Sequence, residues 1–429
     1  MKITILRSSF QTDEFVWNEY AELLNQLTDE CQAEISIIGD DETVHAPSPQ
    51  ITPNAVMIAT GGVENLFKTL FASVETMCTS SLPRTVTLIA DGRNNSLAAA
   101  LEILTWLERQ GVKGRIIHGT NDELVATIVE TMCTSSLQGI NGIRIGLFGQ
   151  PSDWLIASSV DRDYLLEQYG VETIDIDLQR VIEGIKAIPQ TEAVKVAQRM
   201  VKQSIDTIEP SCADMVEAAK AYLAIKNICQ EERLDAMTIR CFDIVKTCGT
   251  TSCLALALLN DEGIVAGCEG DMQTLMSMLL VKRLCGAEAF MANPSQLTDK
   301  TTMLAHCTIP LQLCDNIILR SHFESGIGVA IQGLLPLSDY TIFKWGGPKL
   351  DRYFVAEAQA VEMPYSNHFC RTQITLNMDL RPYLLNHSIG NHHVIIKGRH
   401  AETIHYFFRI MRNVVPCPTT EDFTKILPL

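Results

Sequence analysis

Over roughly the first 290 residues, short apolar runs of strand length alternate with amphipathic stretches of helix length. KITILR, EISIIG, AVMIATGG, TVTLIADG and KGRIIHG are separated by helical stretches over residues 12–30, from about 64, and over 95–110. This alternation fits a parallel sheet covered by helices on both faces. Residues 1–140 therefore read as one doubly wound domain. A second begins at IRIGLFGQPSDW (143–154) and runs through helical stretches at 190–204 and 211–230. It continues with AMTIRCFDI as a strand, SCLALALLND as a helix, and GIVAGCEGD, a strand that ends at two carboxylates. Beyond about residue 310 the helical signal fades. GVAIQG, DYTIFKWGG, YFVAEAQAVE, RTQITLN and HHVIIKG then follow between Gly, Pro and Asn turns, before a last amphipathic helix, ETIHYFFRIMRNV. Such spacing suits an antiparallel barrel or sandwich. The expected fold is α/β, with two doubly wound parallel-sheet domains (1–140 and 141–310) and a C-terminal antiparallel β-barrel-like domain (311–429).

At 429 residues, 46% of them hydrophobic and 20% charged, the chain is long enough for two or three folded cores. A net charge of −17 repels phosphate backbones and anionic lipid, so neither nucleic acid nor a membrane surface is an expected partner. The opening MKITILRSSF lacks the apolar core of a signal peptide, which points to the cytoplasm. The 14 cysteines include no CxxC pair and sit in apolar settings such as SCLALALL and RLCGAEAF, as reduced, buried thiols do.

The nine residues VETMCTSSL occur at Val74–Leu82 and again at Val129–Leu137. Both copies are expected to end a helix, because Thr-Ser-Ser hydrogen-bonds its own backbone and suits a short loop. Cys78 and Cys133 have no nearby His, Lys or Arg to stabilise a thiolate. The repeat reads as architecture rather than chemistry.

Histidines are unevenly spread. His45 and His118 precede residue 300, whereas His306, His322, His368, His387, His392, His393, His400 and His405 follow it. In open α/β sheets ligands bind at the carboxyl ends of strands, where CEGD lies. Carboxylate with imidazole suits manganese, iron, cobalt or zinc, and manganese best where oxygen ligands are exposed. The proposed ligand set is Glu269 or Asp271 with His393 or His392. Asp271 also has the position of an N-cap for the following helix. His400 and His405 read as an exposed helix face.

GQPSDWLIAS, LNDEGIVAGCEGDM, LAHCTIP, SHFESGIGVAIQG and GNHHVIIKG, in this order over nearly the whole chain, resemble the L-fucose isomerase and L-arabinose isomerase superfamily, in its fucose isomerase-like branch. The resemblance implies two α/β domains and a barrel-like third, a homo-oligomer (trimer or hexamer), and a manganese-type divalent ion at the domain junction. It also implies conversion of an open-chain aldose to a ketose through an enediol. By motif, Asp271 matches the strand-end carboxylate ligand and His393 the late histidine ligand, with Glu269 and His306 as second candidates. The chain departs from the family about two dozen residues before CEGD, where a further catalytic carboxylate is expected. IVKTCGTTSC carries no acid there, and Asp243, 28 positions before Asp271 and read at a strand end, is the candidate substitute.

Asp271, Glu269 and Asp243 are thus the candidate catalytic residues, and Asp271, His393, Glu269 and His306 the candidate ligands. Trp154, by stacking on a sugar, and Arg371, by gripping a hydroxyl, carboxylate or sulfonate bidentately, join His392 and His306 as candidate substrate contacts. ATGGVEN (59–65) lacks the remaining glycines of a dinucleotide fingerprint, so no nucleotide cofactor is expected. The expected function is a divalent-metal-dependent isomerase of a sugar, deoxy and otherwise modified sugars included. The missing carboxylate leaves a second reading, a carbohydrate-binding protein on the isomerase scaffold.

Overall fold

The computed structural model describes residues 2–31, 33–40, 55–75, 85–411 and 414–417. The chain forms two compact units, 1–133 and 134–429. In the first, β1 (Lys2–Arg7), β2 (Glu34–Gly39), β3 (Ala55–Ile58), β4 (Thr85–Ile89) and β5 (Lys113–Ile117) make one parallel sheet in the order 2-1-3-4-5. Leu6, Val56, Ile58 and Leu88 from the central strands pack with Phe67, Ile103 and Leu107 from two helices. Strands buried on both faces read as continuous apolar runs, and this is why they were legible in the sequence.

The VETMCTSSL repeat is only partly visible. The first copy lies outside the described residues from residue 76 onward. The second closes the helix Asn121–Gln138, stopping one residue before its end, as expected of a helix-end module, but its Thr-Ser-Ser is helical and forms no loop. Thr-Ser-Ser stays in the helix because the weak propensities of Ser and Thr are readily overridden by context.

The second unit carries β6 (Arg144–Phe148), β7 (Glu172–Ile176), β8 (Asp206–Thr207), β9 (Ala236–Ile239) and β10 (Val265–Cys268). The remaining strands are β11 (Ala289–Leu297), β12 (Thr302–His306), β13 (Asn316–Arg320), β14 (Ala330–Leu334), β15 (Asp339–Gly346), β16 (Arg352–Glu362), β17 (Thr372–Leu376), β18 (His393–Lys397) and β19 (Val415–Pro416). A parallel sheet in the order β10-β9-β6-β7 sets Phe148 beside Ile239 and Ile239 beside Cys268. Three strands therefore end at one edge, and the loops GQPSDW, RCFD and EGD emerge together.

β15, β18, β11, β12, β17 and β16 pair antiparallel, and β16 pairs back onto β15 to close a six-stranded barrel. Closure removes exposed edges from these strands. Two barrel strands, β11 and β12, precede residue 311. The helix Met272–Leu284 packs against β10 on one side and against β11, β15 and β18 on the other. It is buried almost all round, as a helix apolar on every face must be, and it ties CEGD to the barrel. Among the described residues no helix is long and apolar enough to cross a membrane.

Candidate functional site

The site starts from a strained turn. β10 stops at Cys268, and Glu269 and Gly270 follow with φ of 64° and 79°. A left-handed backbone is uncommon for a residue with a side chain, and costs on the order of 1–3 kcal/mol unless its surroundings impose it. Here the surroundings do. The Ser152 amide donates to the Glu269 carbonyl at 2.8 Å and the Gly270 amide to Thr238 Oγ1 at 3.1 Å. A Cβ on Gly270 would lie 2.5 Å from Pro151 Cα, so glycine is required. The turn aims the Glu269 side chain into a cavity instead of along the strand.

Asp271 then caps the helix Met272–Leu284. Its Oδ1 accepts from the Thr274 amide and its Oδ2 from Thr274 Oγ1, both at 2.8 Å. Oδ2 also accepts from His392 Nδ1 at 2.9 Å and lies 3.6 Å from Lys344 Nζ, with Asp271, His392 and Lys344 all fully buried. Burial alone would raise the Asp271 carboxyl, but Lys344 and His392 outweigh it and hold it well below the usual range. Both Asp271 oxygens are therefore spent on protein partners. With Nδ1 bonded to Asp271, the ring nitrogen left over is Nε2, and this buried atom has no hydrogen-bond partner.

That nitrogen faces Glu269. His392 Nε2 lies 3.7 Å and His306 Nε2 3.9 Å from the same oxygen, Glu269 Oε1. The two rings stand 5.4 Å apart, and His306 Nδ1 is fixed by Thr308 Oγ1 at 2.9 Å. Burial would raise the Glu269 carboxyl, and the two imidazoles reverse the shift and lower it. Its other oxygen accepts from Trp154 Nε1 at 2.6 Å. Cys268 Sγ joins Glu269 and His306 in a group whose donor atoms lie within 4.8 Å of one another. Cys268 also touches Cys241, with sulfurs 3.2 Å apart. Oxygen, imidazole and thiol donors close together, beside a buried imidazole nitrogen left without a hydrogen-bond partner, fit a divalent metal ion.

A cavity of roughly 500 Å³, its mouth included, opens beside these atoms. Glu269, His306, His322, Glu324, Phe242 and Cys370 are among the residues that line it. Glu324, exposed on the SHFESG loop, was not singled out from the sequence. Partial burial and the negative charge of Glu269 raise its carboxyl. His322, from the same motif, is pushed down to about 4, chiefly by burial and then by His306 and Arg371. A Gly-rich stretch holding both an acid and an imidazole was the available signal.

His393 points away from the cluster: its Nδ1 donates to the Asn391 carbonyl and its Nε2 accepts from Tyr383 OH at 2.9 Å. Successive residues of an extended chain face opposite sides, so only one of the two neighbouring histidines can reach Glu269. Asp243 does not stand at a strand end. The chain leaves β9 at Ile239 and turns into the helix Cys241–Cys248, whose Phe242 and Val245 face the cavity. Asp243 is instead 39% exposed and paired with Arg240 at 2.9 Å. Trp154 is half-exposed, edge-on to Phe242 with centroids 4.9 Å apart. Arg371 follows cavity-lining Cys370 and is buried. His400 is buried too, donating from Nε2 to the Lys397 carbonyl, which corrects the exposed helix face expected for it.

No protein-family model matches the chain. It is similar to curated proteins named sulfoquinovose isomerase. The one from Priestia aryabhattai is 24% identical over 263 residues, 59% of this chain and 59% of the relative. Those from Alkalicoccus urumqiensis and from Clostridium sp. strain MSTE9 are 22% identical over 238 residues and 27% over 224. These matches cover 53% and 49% of this chain, and 54% and 49% of the relatives. The matched region thus spans about three fifths or less of the curated relatives.

Proposed function

We propose that this protein is a divalent-metal-dependent aldose–ketose isomerase of the fucose isomerase-like type, and that its substrate is sulfoquinovose or a close relative. The observation that carries this reading is the convergence of His306 Nε2 and the unpartnered His392 Nε2 on Glu269 Oε1 beside an open cavity. The α/β sheets with a closed barrel and the names of the relatives support it. Glu269, His306 and His392 would hold the ion, with manganese, iron, cobalt and zinc all suited to these donors. Asp271 is a positioning residue, since a carboxylate behind a ligating imidazole fixes its tautomer and direction.

When bound, the ion would supply Lewis acidity to oxygens at the reacting end of the sugar. Glu324 takes the proton from C2 and returns it to C1, while the O2 proton moves to O1, so the ketose is an isomer with nothing gained or lost. Its raised carboxyl suits a group that alternates between base and acid. Glu324 in this role fills the place for which Asp243 was the sequence candidate. Trp154, half-exposed and bonded to Glu269, offers a flat face to the sugar. The resemblance carries with it a homo-oligomeric assembly.

The test is metal content by mass spectrometry together with exchange of the C2 proton in deuterium oxide, on wild type and His392→Gln, with sulfoquinovose and neutral aldoses. Stoichiometric metal and exchange in the wild type, both lost in the variant and exchange lost with EDTA, are expected. Metal-free protein, or exchange indifferent to EDTA, would overturn the reading.

A further inference from the structure

Near the cavity, acting on its lining residue His322 without itself lining it, lies a buried positive charge with no carboxylate in contact. Arg320 and Arg371 are both 6% exposed. Arg320 is neutralised: Glu209 accepts from its Nε at 2.7 Å and from its Nη2 at 2.5 Å. Arg371 meets only neutral oxygens. Its Nε donates to the Ser321 carbonyl at 2.8 Å, Nη2 to Ser321 Oγ at 3.2 Å, and Nη1 to Tyr365 OH at 2.9 Å and Asn367 Oδ1 at 3.5 Å. Among the described residues no carboxylate lies within 4.0 Å of it.

Glu209 is bonded to Arg320 and acts on Arg371 only at longer range, so Arg371 has no carboxylate in contact. An isolated charge taken out of water is costly unless paired. Four contacts also leave at least one of the five guanidinium N–H groups unspent. The position of the charge is informative. Ser321, its anchor, directly precedes His322, and Arg371 directly follows Cys370; His322 and Cys370 both line the cavity. Tyr365, whose hydroxyl orients Arg371 and whose ring carries Arg320 at 4.5 Å, is itself part-exposed.

We infer that Arg371, held by Ser321 and Tyr365, is the subsite for an anionic end of the substrate, a sulfonate. This rests on the isomerase reading for the rest of the substrate, whose reacting end would lie at Glu269. A single guanidinium with no carboxylate in contact matches a monoanionic sulfonate, whereas a phosphate monoester carries close to two negative charges at neutral pH. It also places specificity in the guanidinium, since a planar fork grips a tetrahedral oxyanion through paired N–H groups.

Anion binding can be read without turnover, by thermal unfolding with methanesulfonate as the probe, on wild type, Arg371→Met and Glu209→Gln. Methanesulfonate should stabilise the wild type, fail to stabilise R371M, and bind E209Q more tightly, because Arg320 then loses its counter-ion. A gain cannot come from misfolding, and its loss in the double variant Glu209→Gln/Arg371→Met would assign it to Arg371 even where R371M alone folds poorly. In metal-loaded enzyme, R371M should raise KM for sulfoquinovose about tenfold or more, with kcat less affected and metal content unchanged. Glucose and glucose 6-phosphate should be poorer substrates than sulfoquinovose in the wild type.

Equal stabilisation of wild type and R371M, or of neither, with no gain in E209Q, would overturn the subsite. Turnover of any sugar in that case leaves the isomerase reading standing. Arg371-dependent binding of methanesulfonate with no sugar exchanged would do the reverse, keeping the anion site and removing the isomerase.

Discussion

Asp271 Oδ2 and His392 Nδ1, 121 positions apart in the chain, lie 2.9 Å from each other with both side chains fully buried. The contact joins a helix cap to an imidazole and turns the free face of that imidazole toward Glu269. One carboxylate thus serves both the fold and the site, and the two roles can be separated.

Asp271→Ala removes the cap, worth about 1 kcal/mol, and leaves Lys344 buried without a counter-charge, worth about 3–5 kcal/mol. The double variant Asp271→Ala/Lys344→Met should recover most of the second loss in urea unfolding. Metal affinity should stay about 10- to 100-fold below wild type in both, because neither restores the orientation of His392. Recovery of metal binding in the double variant would show that Asp271 acts through stability alone.

His392→Gln and His393→Gln change adjacent residues and should give opposite results. The first should abolish metal binding at modest cost in stability. The second should keep the metal and lose about 1–3 kcal/mol, since it leaves the buried Tyr383 hydroxyl poorly paired. Equilibrium dialysis and denaturant unfolding on the two proteins decide between them, and the reverse pattern would move the proposed centre to the other face of the chain.

Glu324→Gln should lower exchange of the C2 proton about 100- to 10,000-fold with metal retained, the range expected for removing a proton-moving group. Asp243→Asn breaks only a half-exposed ion pair, worth about 0–1 kcal/mol, and should leave the rate within about twofold. Comparable damage from both variants would return Asp243 to the mechanism.

Asp261 supplies a pH test remote from these carboxylates. Burial raises its carboxyl to about 6, opposed by backbone amides of Gln312 and Leu311. A raised carboxyl binds a proton more tightly folded than unfolded. Its contribution is therefore fully present below about pH 4 and is lost as pH rises through about 6. Discounted for partial exposure, the change is on the order of 1–2 kcal/mol. Wild type should lose this amount over that window relative to Asp261→Asn, which keeps an acceptor for Gln312. Parallel stability–pH curves for the two proteins would show that the proton is not taken up there.

The alternation of strand and helix periods marked the parallel sheets, and the turn-rich final third marked a β domain, because both signals come from side chains adjacent in the chain. A barrel-like domain was expected, but that β15 and β16 close it was not legible, since alternation fixes which face of a strand is apolar and not which strand it meets. Carboxylates at the end of β10 and a late pair of histidines were legible as chemistry for the same local reason.

Which of those side chains meet was decided in three dimensions. The CFDIV stretch looks strand-like by composition, yet it forms a helix that turns Asp243 toward Arg240 and away from the cavity. His392 and His393 are indistinguishable by type, and one step along an extended chain sends them to opposite sides. Glu324 reaches the site only because its loop comes to the cavity from a distant part of the chain. By itself the sequence determined the periods of its elements and the kinds of groups it could offer to a ligand. The tertiary structure alone decided that Asp271 stands behind the site and His392 within it, because packing sets the distances between residues far apart in the chain and local periodicity does not.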